Sequence, residues 1–136
     1  MRELDQKIIR ELEKNSRQTN IQIAKKLKVS EGTIRQRVQK LVKNVIIKKF
    51  TIELSTLSGF SAMVLIELDP HKQIKGVIKQ IQKIDDVKRI IETAGAYDLI
   101  IEISTSSASQ FNNIIDKIRA IEGTKKTESM VVLNVV

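Results

Sequence analysis

Apolar residues fall at helical spacing through the first third of the chain, and beyond it they switch between alternating and helical order. In ELDQKIIRELEKNSR, Leu4, Ile8, Ile9 and Leu12 form one stripe, which predicts an amphipathic helix. Asn15-Ser16 supplies its stop, since Asn tolerates the left-handed conformation that closes helices. Thr19, with Gln22 three residues on, is a capping-box pattern. It opens a short second helix with Ile23, Ala24 and Leu27 inward and Ile21 assignable to either side. KVS is a turn, and Ser30 caps a third helix that buries Ile34, Val38 and Leu41. Val45 and Ile46 are expected to pack just past its end, with Asn44 where glycine usually closes a helix. Three helices this short bury little unless the last two cross steeply over the first, which is the helix-turn-helix arrangement.

Lys48–Leu54 (KKFTIEL) alternates and reads as a strand, and Ser55–Gly59 reads as a loop. Ser61–Leu68 is a further strand. DPHKQ then opens a helix, with Asp69 as N-cap and Pro70 in its first turn, and Ile74, Val77, Ile78 and Ile81 form its stripe. Val87–Thr93 and Leu99–Ser104 are strands flanking the turn AGAYD. TSSASQ starts a helix with Phe111, Ile114, Ile115 and Ile118 on one side, EGTKK ends it, and Thr127–Val136 is the last strand. The order βαββαβ predicts two right-handed βαβ units side by side: a four-stranded antiparallel sheet, ferredoxin-like, with both helices on one face. The fold class is therefore α+β, with a helix-turn-helix domain over residues 1–47, a linking strand and hinge over 48–60, and a ferredoxin-like domain over 61–136. Odd positions (Met63, Leu65, Leu99, Ile101, Ile103, Val131, Leu133) and even ones (Ala62, Val64, Ile66, Ile90, Ile100, Met130, Val132, Val136) are both apolar. One set packs on the helices. The other, including Ile66, Ile100 and Val132, is expected to be covered by a second copy.

Charge separates the two parts. Residues 1–49 hold 14 Lys/Arg against 5 Asp/Glu, and residues 50–136 hold 10 against 11. The whole net charge of +8 thus sits on the three-helix head, which suits a polyanion. In a helix-turn-helix the second helix of the pair enters the major groove and presents its first turns to base edges. With Ile34, Val38 and Leu41 inward, Arg35, Gln36 and Gln39 face outward, and Ser30, Glu31, Gly32 and Thr33 form the leading tip. The candidate DNA-binding residues are these together with Thr19, Arg37 and Lys40. Gly32 offers bare backbone for close approach to a phosphate or base. There is no cysteine, which removes disulfides, thiolate metal sites and thiol nucleophiles. The charged opening MRELDQK predicts no signal peptide, and the longest apolar run, AMVLI, is too short to span a membrane. The expected location is the cytoplasm, with no membrane partner.

These elements and motifs together resemble the Lrp/AsnC family of prokaryotic transcription regulators, also called feast/famine regulators. LDQKIIRELEKNSR is similar to the family's opening helix, and IQIAKKLKVSEGTIRQRVQKLVKNVI to its helix-turn-helix text I-A-x-x-L-x-x-S-x-x-T-V-x-x-R-I-x-x-L-x-x-x-G-V-I. GAYD (Gly95–Asp98) resembles its G-x-Y-D turn, and GTKKTES (Gly123–Ser129) its G-V-x-x-T-x-T segment. The resemblance implies DNA-binding homodimers, often assembled to octamers, that respond to small effectors, usually amino acids, bound between dimers. Carried over by motif, the effector candidates are Gly95, Ala96, Tyr97, Asp98, Thr127 and Ser129. Asn44 stands for the family's Gly, Thr124 for its Val, Ala96 for a common acidic residue and Ser129 for Thr. An amino acid needs an acceptor for its ammonium, which Asp98 offers. It also needs donors for its carboxylate, which the glycine turn's backbone N–H groups and the Thr127 and Ser129 hydroxyls offer.

Other readings are weaker. An enzyme acting on haem precursors calls for His and Arg around a pocket, yet His71 is the single histidine, and Asp85, Asp86 and Glu122 lie in turns without a partner base. No catalytic residue, metal site or cofactor is therefore assigned. An RNA-binding sheet stacks bases on aromatics, and the central strand positions carry none. An architectural DNA-coating protein without an effector would differ from a regulator in its footprint on DNA.

Overall fold

A computed structural model describes residues 1–55 and 58–136. Its contacts divide the chain into two units, Met1–Glu53 and Leu54–Val136.

The first unit holds α1 (Glu3–Lys14), α2 (Asn20–Leu27) and α3 (Glu31–Lys43). Ile8, Ile23, Ala24, Ile34 and Leu41 are its buried centre, with Leu4, Ile9, Leu12, Leu27, Val29, Val38 and Ile47 packed around them. The expected stripes therefore converge, whereas Ile21 points to solvent. Thr19 closes a full capping box with Gln22, and Ser30 accepts the backbone N–H of Thr33. Asn15 is extended, so α1 does not end through a left-handed Asn. Instead the Asn15 side chain accepts the N–H of Arg17, an Asx turn that redirects the chain.

The end of α3 also differs from expectation. Asn44 keeps φ −84°, and the left-handed residue is Val45, at φ 57°. The N–H of Val45 donates to Val42 and that of Ile46 to Leu41, the paired bonds of a Schellman motif. Glycine's usual place is therefore held by Val45, not Asn44. Val45 and Ile46 are both more than half exposed, and Ile47 packs on the core in their stead. Lys48–Leu54, expected as a strand, forms none. A strand exists only in its ladder, and among the described residues nothing pairs with this one. Phe50, Ile52 and Leu54 are left exposed.

The second unit runs β1 (Phe60–Leu68), α4 (Ile74–Gln82), β2 (Val87–Glu92), β3 (Leu99–Thr105), α5 (Ala108–Arg119) and β4 (Thr124–Val131). The antiparallel sheet has the order β2-β3-β1-β4, the ferredoxin-like split. Of the loop expected over Ser55–Gly59, Thr56 and Leu57 lie outside the described residues. Gly59 has φ 78°, and a Cβ there would lie 2.4 Å from the Thr105 carbonyl oxygen, so the chain meets the sheet at a point closed to any side chain. Asp69 and Pro70 do not open α4. Asp69 Oδ1 accepts the His71 N–H at 2.9 Å in a turn, and the helix starts at Ile74. The last strand begins at Thr124, three residues earlier than expected, because Thr124 pairs with Leu68, and it ends at Val131.

Register decides which side chains share a face. Val64 lies opposite Ile101 and Ser129, and Ile90 opposite Ile101. The helix-covered face therefore takes even positions from β1 and odd ones from β3. Ala62, Val64, Ile66, Leu68, Leu99, Ile101 and Ile103 are buried there against Val77, Ile81, Phe111, Ile114, Ile115 and Ile118. A single odd/even division across strands is thus wrong. Ile66 is fully buried under the helices and not on the open face. The open face carries Met63, Leu65, Ile91 and Ile100 at its centre, an Arg89–Glu102 ion pair at one end, and Glu67 and Glu128 toward the other.

Candidate functional site

Helix α3 is the charged feature of the first unit. Its capped N-terminus places Ser30 at the leading end, with the Ser30 and Thr33 hydroxyls 2.8 Å apart. On the side away from Ile34 and Leu41, Arg35, Gln36, Gln39 and Lys40 are exposed. Arg35 lies along the helix, its Nη1 donating to Glu31 at 2.9 Å. Gly32 is not required by packing, since an added Cβ would meet only the Arg35 guanidinium, at ordinary contact distance. Thr19 is exposed at the head of α2, its hydroxyl engaged by the Gln22 N–H.

Arg37 differs from this group. Its Nε donates to Asp5 Oδ1 at 2.7 Å, its Nη2 donates to Oδ2, and Asp5 is buried. The pair ties α3 to α1 and takes Arg37 out of the outward set. The guanidinium holds the Asp5 carboxyl below the usual carboxylate range, against the opposing effect of burial. Sequence reasoning missed the pair although both residues sit on apolar stripes: Asp5 lies three positions before Ile8, and Arg37 lies between Ile34 and Leu41. A charge on a buried stripe calls for an opposite charge on the facing one.

In the second unit the turn Gly95–Asp98 is stitched to the end of β1. The Asp98 N–H donates to the Ile66 carbonyl at 2.8 Å, and Asp98 Oδ2 accepts the Leu68 N–H at 2.7 Å. The Thr93 hydroxyl donates to the Tyr97 carbonyl. Gly95 has φ 148°, which favours glycine, with no atom of its surroundings against it. Tyr97 donates its hydroxyl to Glu128, and that bond pushes the phenol's pKa up. The turn and the last strand therefore meet within one chain, through Glu128 rather than through Thr127 or Ser129. Those two lie opposite Ile66 and Val64, on the helix-covered side, while Glu128 lies opposite Leu65 on the other. Thr127 is engaged by Arg119, whose Nε donates to its hydroxyl at 3.1 Å. Gly95, Ala96 and Ser129 are exposed. Among the described residues no helix is long and apolar enough to cross a membrane.

Comparison with known proteins agrees with this division. Residues 1–48 match a family model described as winged helix-turn-helix DNA-binding. Residues 61–136 match the Lrp/AsnC ligand binding domain. The HTH-type transcriptional regulator LysM of Saccharolobus solfataricus is 39% identical over 131 residues, covering 96% of this chain and 92% of its own. The HTH-type transcriptional regulator FL11 of Pyrococcus furiosus is 32% identical over 136 residues, covering 98% and 89%. The solved structure of AsnC from E. coli superposes with a TM-score of 0.70 at 27% identity, over 99% of this chain and 93% of that one. A capped basic recognition helix on one unit and a ligand-binding ferredoxin-like sheet on the other, matched along the chain's length, place the protein in the Lrp/AsnC family of helix-turn-helix transcriptional regulators.

Proposed function

We propose that the chain reads duplex DNA with the tip and outward side of α3, as a homodimer, under the control of an amino-acid effector at the Gly95–Asp98 turn. One observation supports the reading most. The exposed Arg35, Gln36, Gln39 and Lys40 share a capped helix whose opposite stripe is locked into the core, on the segment that holds all of the chain's excess charge. Arg35, Gln36 and Gln39 meet base edges, with Ser30, Glu31, Gly32 and Thr33 at the leading turn. Lys40 and Thr19 meet phosphates.

At the effector turn Asp98 Oδ1 has no partner among the described residues, which leaves an oxygen for an ammonium. The N–H groups of the exposed Gly95 and Ala96 face the carboxylate, with Ser129 beside them. Dimerisation covers Met63, Leu65 and Ile100 on the open sheet face, and four subunits' dimers assemble to the octamer. The role is regulatory and not catalytic. His71 is an exposed turn residue, and Asp86 is engaged by the Thr105 hydroxyl at 2.7 Å.

The test is calorimetry with each of the twenty amino acids, on the parent and on Asp98→Ala, beside anisotropy with operator DNA. Binding that is lost in Asp98→Ala while basal DNA binding persists bears the effector assignment out. Equal binding by the variant overturns it.

A further inference from the structure

Where α5 ends and β4 begins, Arg119, Thr124, Lys125, Lys126 and Thr127 line a cavity of about 220 Å³. Its charged lining is entirely cationic, in a part of the chain whose overall balance is slightly acidic. Lys125 reaches Glu67 at 3.3 Å. Arg119 and Lys126 have no ion pair among the described residues. The hydroxyl of Thr124 is buried with no hydrogen-bond partner, which leaves a polar atom unsatisfied. The Arg119 Nε bond to Thr127 fixes the plane of the guanidinium. Its two terminal nitrogens are then a preset fork, the geometry that grips two oxygens of one carboxylate or phosphate.

We propose that this cavity is an oxyanion site, taking the carboxylate or phosphate group of a small acidic ligand with Arg119 as the principal donor and Thr127 as the residue that positions it. The site rests on the C-terminal unit being ligand-binding, and it is separate from the glycine turn. Thr127 faces the helix-covered side, and Tyr97 of the turn meets Glu128 on the other. Thr127 thereby moves from the turn's set to this one.

The experiment is titration calorimetry on the full chain with inorganic phosphate, glutamate, aspartate and, as the neutral control, glutamine. Saturable binding of phosphate alone identifies a phosphate group as the ligand's anion, and binding of the dicarboxylic amino acids alone identifies a carboxylate. Glutamine is bound more weakly than glutamate in the second case. Arg119→Gln weakens the anion by about tenfold or more, as loss of a charge-assisted bond requires. Its unliganded melting point is unchanged, and Asp98→Ala binds the anion as the parent does. Thr127→Val, which keeps every charge but frees the guanidinium plane, loses part of the affinity and guards against a misfolded Arg119 variant. Absence of saturable binding to any of the anions overturns the proposal, as does equal binding by Arg119→Gln. If Asp98→Ala loses the anion and Arg119→Gln keeps it, this site fails and the glycine turn stands.

Discussion

Arg37 of the recognition helix grips the buried carboxylate of Asp5 in α1 through two nitrogens. The bond fixes the helix that carries Arg35, Gln36 and Gln39 against the rest of the head. Its cost and its gain are both electrostatic. A lone charge left in that position has no water to replace its partner. Arg37→Gln therefore lowers the melting temperature of the head. It weakens DNA binding only through that loss, leaving the salt dependence of binding unchanged. A fall in the number of ions released on binding would instead make Arg37 a phosphate contact.

The same pair sets an acid limb. The carboxyl of Asp5 is held below its ordinary value, so its contribution is complete above the unfolded-state pKa of about 3.9 and is lost as pH falls through the lower folded-state value. Melting temperature measured across the acid range should drop below about pH 4 in the parent. Asp5→Asn is less stable at neutral pH and flatter in that window. An unchanged acid limb in Asp5→Asn would assign it to other carboxylates.

Val45 holds a left-handed backbone at the end of α3 with its side chain mostly in water. A β-branched residue there is strained, and glycine is not. Val45→Gly relieves the strain at the expense of greater freedom in the unfolded chain. The expected net gain is up to about 1 kcal/mol, seen as a rise of a few degrees in melting temperature. A loss of stability would mean that the exposed valine packs on something outside the chain.

DNA affinity should fall steeply with salt. Six or more phosphate contacts per dimer lower it on the order of 10³-fold between about 50 and 200 mM. Arg35→Ala should cost about 1–3 kcal/mol at one position per half-site if it reads guanine. Uniform weakening across all sequences would make Arg35 a phosphate contact, swung free of Glu31.

Leu65 stands at the centre of the open sheet face, between Ile100 and Glu128 in register. Leu65→Lys puts a charge where a second copy is proposed to pack. Light scattering should then report a smaller species than the parent, with weaker binding to a two-half-site operator. An unchanged particle size would move the subunit contact elsewhere.

The order of elements was legible because each one carries its own period. Ile34, Val38 and Leu41 declare a helix, and Val64 and Ile66 declare a strand face, without reference to anything distant. What failed needed a partner. The odd/even division could not be carried from β1 to β3, because the register that links Val64 to Ile101 is set by pairing and not by numbering. Lys48–Leu54 alternates like a strand, yet alternation states only what a segment is fit to pair with. Within the candidate sites, the exposed face of α3 followed directly from its buried stripe. Arg37 did not, because its role depends on Asp5, 32 positions away. Glu128 and Arg119 were likewise invisible: each matters through one contact, with Tyr97 and Thr127, that no local pattern encodes.

Gly59 has a use in protein engineering. Since no side chain fits beside the Thr105 carbonyl, this residue is a fixed seam between what can be exchanged and what cannot. A chimera that grafts another family member's reading head onto this sheet must place its junction ahead of Gly59. Insertions or deletions that tune the spacing between the two modules belong upstream of it as well. A graft that replaced this glycine would disturb the first pairing of β1 with β3, and a well-made head would arrive on a damaged sensor.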